Sequence, residues 1–270
     1  GVGQRSTHSC QIGATRSTWV WWLITSLSST PQALVPGSRQ GSARACARYQ
    51  AMISGGFITV LATVSATIYG MPTTKSAREV WDELLAGNQR FATDTTTTPN
   101  RDPRRREEIL GGQDPIAAVI ACSDSRVPVE LLFDAGFGDI FVIRTAGGCV
   151  DAAVSASVEF AVDALGVPLV LFLSHEGCGA IGAAINAVDK SDIPHGLTRV
   201  FVEKIAPSVL EARAEGCTDA PAIEEAHARI MAHHLEDRIP AIKAHNVGVV
   251  GARYSLDSGR VETIYEHFGS

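Results

Sequence analysis

"IAAVIACSDSRVP", residues 116–128, runs from six apolar residues straight into a cysteine, an aspartate and an arginine. An apolar run without alternation reads as a strand buried on both faces, as in a parallel sheet covered by helices. "VLFLSHEGCGAIGAA", residues 170–184, repeats the arrangement: an apolar strand, then His175 and Cys178, then glycine and a helix-forming run. Between them stand "PVELLFDAG" as a short helix, "DIFVIR" as a strand, and "DAAVSASVEFAVDALG" as a helix ending at Gly166. Strands alternating with helices predict an α/β fold with a parallel-rich central sheet.

The flanks extend this pattern. "SAREVWDELLAGNQRFA" has helical spacing, with Val80, Leu84 and Leu85 on one face, Ser76 as its cap and Gly87 interrupting or ending it. "TDTTTTPNRDPRRREE" reads as a polar connector, and residues 197–245 as mostly helical. "VGVVGARYSLDSGRVETIY" reads as a strand, a turn at 257–259 and a closing C-terminal strand.

Charge divides the chain. Residues 1–70 hold five arginines and no Asp, Glu or Lys, so residues 71–270 carry 18 basic against 29 acidic side chains. This break predicts a domain at 71–270 preceded by an extension that is disordered or foreign to the fold. Its Arg- and Ser-rich, acid-free composition also fits a targeting segment. "ISGGFITVLATVSATIYG" is nearly long enough for a membrane anchor, which needs about 20 apolar residues, but is dilute in Thr, Ser and Gly. The net charge of −6 disfavours a nucleic-acid partner. Six unevenly spaced cysteines fit a reducing, cytoplasmic setting and a metal or catalytic role better than a disulfide framework.

Functional groups gather at the carboxyl ends of parallel strands. Cys122 and His175 each follow one, so the two can meet. Zinc favours thiolate and imidazole in a tetrahedron, and three protein ligands leave a fourth position for water, as in catalytic zinc sites. Cys122, His175 and Cys178 supply that set. Asp124 stands two residues from Cys122 and reaches the fourth position or its occupant, and Arg126 is placed to hold Asp124 as a carboxylate. A lone Cys after a strand is ordinarily a small core residue, and a lone His-x-x-Cys is a weak signal. Their joint placement on one sheet edge is what favours metal. His195, His227, His233 and His234 read as surface residues.

"CSDSRVP" followed by "H-x-x-C-G" resembles the β-class carbonic anhydrases, and the likeness continues through "LLAGNQRF", "FVIRTAGG", "VEFAV" and "VGARYSLDSGRVE", over roughly residues 75 to 268. The resemblance implies one zinc per chain on Cys122, His175 and Cys178. It implies reversible hydration of carbon dioxide to bicarbonate and a proton by a zinc-activated hydroxide. Asp124 then either hydrogen-bonds the zinc's water or swings onto zinc and closes the site. Gln113 and Phe141 match the family's open-type pattern, whereas Val119 and Ala121 depart from the tryptophan and glycine of the closing type. Phe160 stands where many members carry a tyrosine, and Glu176 between His175 and Cys178 is less usual and places a carboxylate near the metal. Phe141 and Val127 are candidates for the apolar pocket, Gln113 for a donor to bicarbonate, and Gly179 for close backbone approach. The resemblance further implies a homodimer or homotetramer, with residues 76–91 as a candidate arm across a neighbour. Hydrolysis of carbonyl sulfide or carbon disulfide, and a non-catalytic zinc protein with Asp124 as fourth ligand, are the rival readings.

Overall fold

The computed structural model describes residues 73–269. The expectations for residues 1–70 lie outside the described residues. Within them the chain runs α1 (Ala77–Ala92), α2 (Pro103–Glu108), β1 (Ala117–Cys122), α3 (Val129–Leu132), β2 (Ile140–Thr145), α4 (Ala152–Asp163), β3 (Leu169–His175), α5 (Gly179–Lys190), α6 (Arg199–Ala214), α7 (Ala220–Arg238), α8 (Pro240–Ala244), β4 (Gly248–Tyr254) and β5 (Val261–His267).

Side-chain oxygens cap the helices where the chain turns into them. Ser76 and Glu79 form a reciprocal capping box at α1, and Asp102, Asp151 and Asp219 cap α2, α4 and α7. The Asp102 cap and Pro103 at the first turn explain why part of the expected connector is helical. Gly87 does not end α1, which continues to Ala92. Its missing side chain serves packing instead, because a Cβ there would lie 2.0 Å from the Phe133 carbonyl oxygen.

The strands of the described residues form one sheet in the order β2-β1-β3-β4-β5. The first four are parallel and β5 closes antiparallel on β4. Every residue of β1 and β3 is buried, as unbroken apolar runs require. Side chains leave the two faces alternately. Val119, Ala121, Leu171 and Leu173 pack with Val80, Trp81 and Leu84 of α1 and with Val129 and Leu132. Ala118, Ile120, Val170 and Phe172 pack with α4 and α7. Each fully buried Leu or Ile in these layers contributes about 1.5–3 kcal/mol.

Trp81 is fully buried and donates from Nε1 to Thr263 Oγ1 at 3.3 Å. The apolar face of α1 therefore covers its own sheet. A third cluster joins Cys122, Cys149 and Cys178 to Ile181, Ile205, Ile223 and Ile230 of α5, α6 and α7. It lies at the carboxyl ends of the parallel strands. No helix among the described residues is long and apolar enough to cross a membrane.

Candidate metal centre

Parallel register brings the ligands to one edge. Cys122 ends β1 opposite Thr145 of β2, and His175 ends β3 opposite Tyr254 of β4. Cys178 is the residue before α5. Cys122, His175 and Cys178 are all buried, and each offers a ligand atom within 4.8 Å of the others.

The imidazole is oriented by its own turn. His175 Nδ1 lies 2.9 Å from the Glu176 carbonyl oxygen, which only accepts, so Nδ1 carries the proton and Nε2 presents its lone pair. Nε2 is buried and has no hydrogen-bond partner in the protein. A bare imidazole nitrogen beside two converging thiols is the donor set of a tetrahedral zinc site with one position left open.

The two thiols differ. Cys122 Sγ accepts backbone N–H bonds from Asp124 at 3.4 Å and from Gly147 at 3.2 Å. Pairing with the Cys178 thiol, helped by His175 and these N–H groups against the cost of burial, pulls Cys122 down to about 4. The same pairing, together with burial, pushes Cys178 up. Cys122 is thus the more readily ionised of the two, and a cation beside them would favour thiolate at both. Gly147 reaches the sulfur because its φ of 66° is left-handed, a region glycine enters without strain.

Asp124 and Arg126 form the expected pair. Arg126 donates from Nε to Oδ1 at 3.0 Å and from Nη2 to Oδ2 at 2.7 Å, and its backbone N–H reaches Oδ1 at 2.9 Å. The guanidinium holds the Asp124 carboxyl far below the usual carboxylate range. Asp124 Oδ2 stands 4.0 Å from His175 Nε2. Arg144 fixes the loop beneath, donating to the carbonyls of Cys122 at 2.9 Å and Asp124 at 2.6 Å.

The remaining predicted residues divide. Gly179 is exposed at the start of α5, and a Cβ there would meet nothing within 4 Å, so the backbone is open to a ligand. Val127, a candidate for the apolar pocket, is wholly buried in the first core cluster. Phe141 pairs with Ala118, four residues before Cys122, about 13 Å away along the strand. Its ring packs on Phe160 at 6.1 Å. Gln113 is exposed and precedes β1. Gln113 and Phe141 therefore stand at the amino end of the sheet, opposite the ligands of their own chain.

The Glu176 carboxylate accepts from Ser255 Oγ at 3.1 Å and the Leu256 N–H at 2.9 Å. Those bonds lower its pKa and engage it with the turn after β4. His227, expected at the surface, is 1% exposed. Glu224 is 3% exposed and touches the His175–Cys178 turn. Sequence reasoning missed both, and their only signal was a titratable residue within the apolar face of α7.

Comparison with known proteins places this geometry. A family model described as carbonic anhydrase matches residues 117–261. Carbonic anhydrase 2 of Mycobacterium tuberculosis is 39% identical over 204 residues, spanning 74% of this chain and 98% of that protein. The carbonic anhydrase of Mycolicibacterium smegmatis is 40% identical over 193 residues, spanning 70% and 93%. Among solved structures, the Coccomyxa β-carbonic anhydrase in complex with acetazolamide aligns with a TM-score of 0.54 at 22% identity, covering 71% of this chain and 85% of that one. A tetrameric β-carbonic anhydrase of Sordaria macrospora gives 0.55 at 22%, covering 70% and 99%. With its fold, its ligand set and these relatives in agreement, the chain belongs to the β-class carbonic anhydrases.

Proposed function

We propose that this chain catalyses the reversible hydration of carbon dioxide to bicarbonate and a proton, with one zinc per chain on Cys122, His175 and Cys178. The observation that carries the reading is the buried, unpartnered Nε2 of His175 converging with two thiols beside an arginine-held aspartate. Cys122, His175 and Cys178 would hold the zinc, which would supply Lewis-acid chemistry able to lower a water's pKa from 15.7 toward about 7.

The protein's own groups do the rest. Asp124, kept ionised by Arg126, accepts a hydrogen bond from the attacking water and aims a lone pair at carbon dioxide. With both carboxylate oxygens engaged by Arg126, Asp124 is restrained from taking a ligand position itself. That restraint disfavours the non-catalytic reading. The open backbone at Gly179 leaves room for substrate.

Gln113 and Phe141, at the amino end of the sheet, reach a metal centre only if a second copy of the chain supplies them. Their roles as donor to bicarbonate and pocket wall are accordingly assigned in trans, within a homodimer or homotetramer. A neighbour in fold described as tetrameric supports such an assembly. The reading includes a reducing, cytoplasmic setting, which suits the thiol ligands Cys122 and Cys178.

Stopped-flow hydration of carbon dioxide, run alongside metal analysis and light scattering, tests the proposal. It expects stoichiometric zinc, hydration activity, loss of both in Cys178→Ser, and an even-numbered assembly. Stoichiometric zinc with no hydration activity would reject the reaction. Zinc retained in full by Cys178→Ser would reject the ligand set, and a monomer active at the parent rate would reject the roles in trans.

A further inference from the structure

Helix α7 passes behind the metal centre and touches both of its thiol-bearing halves. Glu224 Oε1 accepts the backbone N–H of Gly177 at 2.8 Å and that of Cys178 at 3.3 Å. Its Oε2 pairs with Arg253 Nε at 3.2 Å and Nη2 at 3.0 Å. Ser174 Oγ donates to the Glu224 carbonyl at 3.1 Å. Glu224 thus ties the end of β3 to α7 through its backbone carbonyl, and through its carboxylate joins the turn bearing Cys178 to α7 and, by way of Arg253, to β4.

His227 does the corresponding work on the other side. Its Nε2 lies 3.3 Å from the Gly147 carbonyl oxygen, so the ring donates there. The Gly147 N–H in turn donates to Cys122 Sγ at 3.2 Å. Phe172 packs edge-on against the imidazole at 5.3 Å and fixes its plane. Burial holds His227 down to about 4, so the ring is a neutral donor throughout the working range. Spacing of three residues places Glu224 and His227 on one face of α7.

We infer that Glu224 and His227 are positioning residues of the metal centre, one holding the Cys178 turn and the other the glycine peptide that donates to Cys122. The inference rests on the zinc reading above. Neither residue lies in the motifs that carry the ligands. A helix that only covered the sheet would be served at both positions by apolar side chains, because burying a carboxylate or an imidazole is costly unless its partners are supplied. Here the carboxylate is met by the backbone of a metal ligand and by Arg253, and the imidazole Nε2 by the peptide that bonds another ligand, while His227 Nδ1 is buried without a partner. Groups that orient ligands from outside the coordination shell typically change metal affinity about 10- to 100-fold when removed.

The test uses the zinc-loaded full chain, mixed with a chromogenic chelator, and reads the rate of zinc release together with Tm. Glu224→Ala and His227→Ala should release zinc about tenfold faster or more. Glu224→Gln, whose amide oxygen still accepts both N–H bonds, and His227→Gln, whose amide nitrogen still donates toward Gly147, should restore slow release. Leu235→Ala removes buried packing from the same helix in the opposite cluster. It should lower Tm while leaving release at the parent rate.

Release from both alanine variants no faster than from Leu235→Ala at equal loss of Tm would overturn the inference. So would glutamine variants as leaky as the alanines. Should an alanine variant fail to fold, Glu224→Asp and His227→Asn keep a polar group but shift its reach. They should release zinc faster than the glutamine variants, and equal rates would overturn the inference. A parent chain that holds no zinc would reject the metal reading before any variant is compared, and so is distinguishable from failure of the α7 assignment.

Discussion

Asp124 and Asp134 are ten residues apart, both held by arginine, and they do different work. Asp134 is a closed case: its side chain has no exposed surface. It accepts from Arg90 Nε at 2.7 Å, from the N–H groups of Thr97 and Thr98 at 2.9 Å each, and from Thr97 Oγ1 at 3.0 Å. Asp124 has its arginine and one backbone N–H but faces the bare Nε2 of His175 at 4.0 Å. A carboxylate whose acceptor sites are filled by protein fastens the chain, here pinning the 94–100 segment to the end of α3. A carboxylate left with capacity beside an unpartnered imidazole is set to receive something from outside.

Breaking the closed member should produce the largest effect on stability. Asp134→Ala leaves the N–H groups of Thr97 and Thr98 without their acceptor and Arg90 without its anion, and should cost about 3 kcal/mol of stability in urea unfolding. Zinc binding should survive in whatever fraction stays folded. A loss below about 1 kcal/mol would show that Asp134 is no more than a surface pair.

The open member should respond in the opposite way. Asp124→Ala should unfold at nearly the parent urea midpoint and keep its zinc, while the hydration rate falls about 10²- to 10³-fold, as when a group aimed at the reacting centre is removed. Hydration at the parent rate, or a large loss of stability, would erase the distinction between the two aspartates.

Acid sharpens the contrast by a smaller amount. Burial pushes the Asp134 carboxyl up, but the Thr97 and Thr98 N–H groups and Arg90 outweigh it and bring the pKa to about 2. The folded pKa lies below the unfolded value of about 3.9. Asp134 therefore stabilises the fold fully above about pH 4, and that contribution, about 2–3 kcal/mol, is lost as pH falls toward 2. The stability gap between parent and Asp134→Ala should hold constant from pH 7 to 5 and shrink below 4. A gap that shrank already between pH 7 and 5 would point to a different titrating group.

The same contrast explains what could be read without coordinates. Cys122, His175 and Cys178 were legible because ligand chemistry and strand ends are both local properties of sequence. The sheet was legible because β1 and β3 are apolar without interruption. Gly87 misled because propensity counts the cost of glycine in a helix, whereas the Phe133 carbonyl that demands it comes from 46 positions along the chain. His227 and Glu224 misled for a related reason. In "APAIEEAHARIMAHHLEDR" nine residues are buried, two of them titratable, and their partners lie on Gly147, Gly177, Cys178 and Arg253. Tertiary hydrogen bonds to a distant backbone leave no periodic trace. Gln113 and Phe141 matched a pattern whose geometry a single chain does not complete.

The smallest effect is expected where a carboxylate sits beside a ligand in sequence but is tied elsewhere. Glu176 follows His175, yet its Oε2 is occupied by Ser255 Oγ and the Leu256 N–H. Its contribution to the metal centre runs through its backbone carbonyl, which accepts from His175 Nδ1 at 2.9 Å and is unaffected by side-chain replacement. Glu176→Gln keeps an oxygen that both donors can still reach and removes only the charge. Its pH–rate profile for hydration should overlay the parent's, because a charge acting on the nucleophile would displace the alkaline limb. A displaced limb would place the Glu176 charge in the electrostatics of the centre. Glu176 would then belong with Asp124 as an open carboxylate rather than with Asp134 as a closed one.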